Sequence, residues 1–348
     1  MTDLIVAKTS RAGHVTLNRP KSLNALTHAM CLDLEAAMTK WESDPSVSLL
    51  LIDAMGEKAF CAGGDIVGIY KAGKNGQVEQ ARQFWRDEYR LNHAISTYSK
   101  PYVAIMDGIV MGGGVGITAH GSHRIVTERT MLAMPECAIG LLPDVGGTYL
   151  LGKMPGASGE YAGLTGARLS GADCIYAGLA DYFVHSDRLD SLKTALQETG
   201  DVAVLQEFAS PPESAPLEEN RAEIDAIFAE DSVDAIIWSL QNHPSDFAKA
   251  ALKGLSRGAP LLLKITLAAL CAARADGSLE HALRNEYRIV SMALCDGELI
   301  EGIRAAVIDK DGSPKWKYPT LESVPQKLVD RLYHPAGDGD FTLENDKG

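Results

Sequence analysis

MLAMPECAIGLLPDVGG, residues 131–147, sets two carboxylates, Glu136 and Asp144, in a run otherwise built of apolar residues, Gly and Pro. Two acids among so few polar neighbours are poorly explained as a solvated face. A carboxyl surrounded by apolar groups has its pKa raised or needs a partner. A second glycine-rich stretch upstream, around Gly112–Gly114, can add bare backbone N–H groups, and acids beside aimed N–H donors are the equipment of acyl chemistry. Each acid also has a plain reading. Asp144 after Pro143 suits the N-cap of a helix over Val145–Leu151, and Glu136 suits a first-turn acid or an ion-pair partner.

Outward from this segment the first half of the chain alternates strands and helices. Leu4–Ala7, His14–Leu17, Val47–Ile52, Tyr102–Met106 and His123–Val126 read as strands, the middle ones nearly continuous apolar runs. Helices are expected over Leu23–Trp41, starting near Asn24 or Thr27, and over Val78–Tyr98, with a short one after Ser170 that Gly178 ends. This is an α/β core through about residue 190. Beyond it helical patterns take over: Pro260 opens a run that Gly277 closes, and Leu279, Leu283, Tyr287, Val290 and Leu294 form one stripe. Two regions are therefore expected, a catalytic core over 1–190 and a helical region over 191–348 packing on it, with a loose tail after Leu332.

The formal charge of −13 argues against nucleic acid or an anionic membrane as partner, and there is no apolar run of spanning length. A small anionic ligand needs only a few local cations and N–H groups. Six scattered cysteines (Cys31, Cys61, Cys137, Cys174, Cys271, Cys295) with no CxxC pair point to free thiols in a reducing compartment. The start MTDLIVAKTSRAG lacks signal- or transit-peptide character, so the cytoplasm is the expected location.

AFCAGGDI (59–66) and IMDGIVMGGGVGIT (105–118) each place glycines just after an apolar strand. Glycine there permits positive φ and close ligand approach, so Gly64 and Gly113 are candidates for two N–H donors to one oxyanion. Either alone reads first as a tight turn. A third acid has its own argument. In the helix over 78–98, Phe84, Leu91, Ile95 and Tyr98 define an apolar stripe, and Glu88 falls on that face, where an ion pair with Arg86 or Arg90 is the ordinary explanation.

These stretches, with LTGARLSGADCIYAGLADYFV (164–184), resemble the enoyl-CoA hydratase/isomerase superfamily over about residues 10–190. RDEYRLN (86–92), PDVGG, NEYRI (285–289) and EGIRAAVIDKDGSPKWK (301–317) extend the resemblance, toward its 3-hydroxyisobutyryl-CoA hydrolase branch, over nearly the whole chain. The resemblance implies a crotonase-like ββα superhelix with an appended C-terminal helical region. It implies hydrolysis of a short branched 3-hydroxyacyl-CoA thioester, in the branch's case 3-hydroxyisobutyryl-CoA of valine degradation. Glu136 and Asp144 are then the catalytic pair, Gly64 and Gly113 the oxyanion hole, and Gly113 and Glu88 substrate contacts, Glu88 beside the acyl hydroxyl. No metal or redox cofactor is implied; CoA arrives as part of the substrate, the only small-molecule partner, and a homo-oligomer stays open. One departure matters. Hydratases of this superfamily carry a glutamate three residues after the middle glycine of the GGG run, where this chain has Gly116. A hydratase or isomerase on the same fold, and a non-catalytic acyl-CoA-binding protein, are the alternatives.

Overall fold

The computed structural model describes residues 2–334 and 340–343. The chain folds into two compact units, neither consecutive in sequence: Met1–Gly64, Arg90–Leu132 and Arg168–Glu219 form one, and Asp65–Tyr89, Ala133–Ala167 and Asn220–Gly348 the other. Residue 190 marks where strands give way to helices, but the units do not divide there.

The described residues form ten strands, all in the first unit but for the last residue of the eighth: β1 (Leu4–Thr9), β2 (Ala12–Leu17), β3 (Leu49–Ala54), β4 (Ala59–Cys61), β5 (Tyr102–Met106), β6 (Ile109–Met111), β7 (His123–Val126), β8 (Met131–Ala133), β9 (Leu169–Ser170) and β10 (Tyr182–Phe183). One sheet runs β1-β2-β3-β5-β7-β10, the other β4-β6-β8-β9. In the larger sheet only β1 and β2 pair antiparallel. The nearly all-apolar β3 and β5 sit at its centre because their side chains are buried on both faces. Leu49, Leu51, Val103, Ile105 and Ile125 pack with Leu192 and Leu196 of the Leu189–Thr199 helix. Each such side chain contributes roughly 1.5–3 kcal/mol of burial.

Of the two expected starts the first helix takes the later one: it begins at His28, with the Thr27 hydroxyl accepting from the Met30 amide. Leu23 and Asn24 both take left-handed φ (50° and 54°), which no helix continues. Asn24 is instead a buried tie: it accepts from the Arg19 amide and donates to the Met55 and Ala59 carbonyls. Ser170 caps as expected, in a capping box with Asp173.

The second unit is helical. Pro260–Asp276 begins on its proline and ends at Gly277 with φ +67°, and in Leu279–Asp296 the stripe of Leu283, Tyr287, Val290 and Leu294 is buried. Part of the tail thought loose after Leu332 lies outside the described residues. Where described, Asp340 accepts from Arg288 and Phe341 is buried against Tyr89 and Tyr287. Among the described residues no single helix is long and apolar enough to cross a membrane.

Candidate active site

In the first unit the two glycine turns end neighbouring strands. β4 and β6 pair in parallel, with Ala59 opposite Ile109. The glycine turns therefore leave the same edge of the sheet side by side. Gly114 is obligatory, since a Cβ there would come within 2.5 Å of the Cys61 carbonyl oxygen. Gly113 is the first residue of a one-turn helix, Gly113–Gly116, so its N–H has no intrahelical partner. The bridge of Leu26 to the other turn engages the Gly63 carbonyl rather than the Gly64 amide. Among the described residues neither the Gly64 nor the Gly113 N–H meets a protein acceptor, which suits a pair of donors.

The second unit gathers the acids. The segment after β8 turns through a 3₁₀ helix, Glu136–Ile139, and then reaches Asp144. Three contacts from C-terminal helices hold it. The Ala259 amide donates to the Cys137 carbonyl at 2.9 Å. The Glu298–Ile303 helix lies so close that a Cβ on Gly302 would sit 2.1 Å from the Ile139 carbonyl oxygen. Glu286, on Leu279–Asp296, accepts from the Gly146 amide at 2.7 Å, the Thr148 amide at 2.9 Å and the Thr148 hydroxyl at 2.5 Å.

Asp144 is not a helix cap. The next helix, Gly147–Gly152, has Gly146 at its N-cap with no side-chain cap bond, and the Gly146 amide, two residues after Asp144, goes to Glu286. Asp144 instead accepts from the Tyr89 hydroxyl at 2.8 Å. Glu136 is buried, is in no ion pair among the described residues, and its Oε2 has no hydrogen-bond partner. Glu88 is buried on the inward face of Val78–Ser96 with its Oε1 also unpartnered. The flanking Arg86 turns to Glu79 and Arg90 to Glu35.

Burial pushes all four carboxyls up. Glu136 and Glu88 stand well above the usual glutamate range, first through desolvation and then through the charge of Asp144. Asp144 rises to about 6, with Tyr89 opposing the desolvation. Glu286 rises to about 8 against the Thr148 and Gly146 donors. The Tyr89 hydroxyl is pushed up as well, by burial and then by Asp144, which keeps it a donor. Such a cluster shares protons rather than ionising fully.

A stability consequence follows. Asp144 holds its proton in the fold between 3.8 and about 6, where the unfolded chain has released it. Stability therefore falls as pH rises through that window and stays reduced above it. Asp144→Asn keeps an acceptor for Tyr89 and removes the charge. It is expected to stabilise the protein at pH 7 by about 3 kcal/mol, with the gain vanishing below pH 4. Urea titrations at both pH values check this, and an Asp144→Asn protein less stable at pH 7 contradicts it.

A profile described as enoyl-CoA hydratase/isomerase matches residues 12–333. The chain belongs to the enoyl-CoA hydratase/isomerase family. Among its relatives in this family is a mitochondrial 3-hydroxyisobutyryl-CoA hydrolase of Gallus gallus, 41% identical over 98% of this chain and 91% of that protein. Two solved family members superpose closely. One is called a carnitinyl-CoA dehydratase, from Mycobacterium thermoresistibile (TM-score 0.94, 44% identity, 99% of both chains). The other is called an enoyl-CoA hydratase, from Rhodobacter sphaeroides (TM-score 0.92, 44% identity, 98% of this chain and all of that one). The fold is thus crotonase-like with a C-terminal helical region, as the resemblance implied.

Within this family member, Glu88, Glu136 and Asp144 occur in one unit with Glu286, which sequence reasoning passed over. The signal was present. Glu286 lies three residues after Leu283 and four before Val290, on the stripe face, by the same spacing that singled out Glu88.

Proposed function

We propose that the chain is an acyl-CoA thioester hydrolase for short branched 3-hydroxyacyl chains, with 3-hydroxyisobutyryl-CoA the first substrate to try. The observation that carries this is the buried Glu136, whose Oε2 meets no protein donor, next in the electrostatics to Asp144. In this reading the Gly64 and Gly113 N–H groups take the thioester oxygen as it gains charge, a stabilisation of about 3 kcal/mol per donor. Glu136 attacks the carbonyl carbon, or draws a proton from a water that does. Collapse breaks the C–S bond and CoA leaves as thiolate, which takes up a proton. On the first path a water then opens the anhydride, releasing the acyl acid and returning the Glu136 carboxyl. Asp144 and Glu88 meet the 3-hydroxyl or the water, and a carboxyl kept protonated by burial can donate as well as accept there. Water and these side chains suffice for the steps, so the proposal includes no metal or redox cofactor.

The names of the two solved relatives, one a dehydratase and one a hydratase, favour a second reading, addition of water to an enoyl-CoA or its reverse. Gly116, buried in the Gly113–Gly116 turn, supports hydrolysis instead, because two-glutamate hydration lacks a partner at that position. Free thiol is followed with a thiol reagent on 3-hydroxyisobutyryl-CoA and on crotonyl-CoA. Release from the first, with little change in the second, is the expected result. Hydration of crotonyl-CoA without thiol release overturns the hydrolase reading. Cytoplasmic residence and a homo-oligomer belong to the same proposal. The Gallus gallus relative is called mitochondrial, and fractionation and sedimentation decide these two points.

A further inference from the structure

Asp144 sits on a turn that needs holding. Val145 and Gly146 follow it with φ of +54° and +77°. A β-branched residue in the left-handed region costs about 1–2 kcal/mol, so this turn does not persist on local preference. On its near side Tyr89 donates to Asp144, and the Gly147 amide donates to the Asp144 carbonyl at 2.7 Å. On its far side both oxygens of Glu286, 140 residues along the chain, collect the Gly146 amide, the Thr148 amide and the Thr148 hydroxyl. Both oxygens of the buried Glu286 are thus engaged with this turn.

We infer that Glu286 is the positioning residue of the acid pair, a carboxylate clamp that keeps the strained Val145–Gly146 turn closed and so aims Asp144. The inference rests on the hydrolase reading for its kinetic readout. The groups facing this cluster are Glu88 and Tyr89 from Val78–Ser96, Glu136 from the 3₁₀ turn, Asp144 itself, and Tyr287 beside Glu286 with Arg86 over its ring. The Glu286 charge adds to the rise at Glu136. Its removal is therefore expected to lower the Glu136 pKa and move the acid limb of the pH–rate profile to lower pH.

The test is Glu286→Gln, which keeps the shape but turns an NH₂ toward one donor. The expected result is a fall in kcat on the order of 30- to 100-fold, KM within about threefold, and the acid limb displaced downward. Thr148→Val, which removes one donor and leaves Glu286, is expected to lose about fivefold in the same direction. Thr148→Ser, which keeps the hydroxyl, is expected to match wild type. If Glu286→Gln does not fold, the two Thr148 variants carry the comparison. A crystal structure of Glu286→Gln, or of Thr148→Val, supplies a readout free of turnover, and loss of the Tyr89–Asp144 bond or of the left-handed Val145 is expected. Wild-type kcat and pH profile in these variants, or an undisturbed turn, overturns the inference. Absence of thiol release from the wild type sinks the hydrolase reading instead, and the crystal structure alone then decides the clamp.

Discussion

Glu136→Gln is expected to lower turnover by about 10³-fold while leaving the fold and ligand affinity intact. The substitution is nearly isosteric, and the Oε2 it replaces has no partner to lose. What disappears is the carboxylate, as nucleophile or as base. General-base assistance is worth about 10²–10⁴-fold, and loss of a nucleophile costs at least as much. Stability should not drop, because the removed group is an acid whose ionised form burial disfavours. Thiol release, a melting curve and titration with a non-hydrolysable thioether analogue of the substrate measure the three quantities. A variant within tenfold of wild-type turnover removes Glu136 from the chemistry.

Gly302→Ala is the largest expected structural effect, a loss of about 3 kcal/mol with activity falling alongside. An added Cβ would lie 2.1 Å from the oxygen and 2.2 Å from the carbon of the Ile139 carbonyl. The obstacle is backbone, so no side chain can rotate away, and overpacking of this kind costs roughly 1–3 kcal/mol or more. Alanine's better helix propensity returns only about 1 kcal/mol. Ile139 lies between Glu136 and Asp144, so a displaced segment moves both acids. Gly68→Ala is the control, since its nearest contact is an ordinary 3.8 Å to Asp65. Equal denaturation midpoints for the two variants contradict the packing argument.

Local signals carried most of the first unit. The apolar runs of β3 and β5 announce buried parallel strands, and Ser170 and Gly178 bracket a helix by capping chemistry that acts within a few residues. The acids at 136 and 144 stood out because their neighbours are greasy. Of the two starts the pattern offers for the first helix, Thr27 is the one used, because Asn24 is fixed by carbonyls of Met55 and Ala59, more than thirty residues away. The alternative reading of Asp144 as an N-cap fails for a similar reason: proximity in sequence favours it, and Glu286 takes the Gly146 amide from 140 positions further on. The division into units was hidden as well, since contacts rather than composition determine it.

Those units are threaded through six chain segments, so the polypeptide crosses between them five times. During synthesis the stretch bearing Glu136 and Asp144 leaves the ribosome well before the helices that fasten it, at Ala259, Glu286 and Gly302. At about 5–20 residues per second, that delay is on the order of ten seconds, with a greasy, uncompleted half-unit exposed. A chain cut before Leu279 therefore lacks two of the three fastenings, those at Glu286 and Gly302.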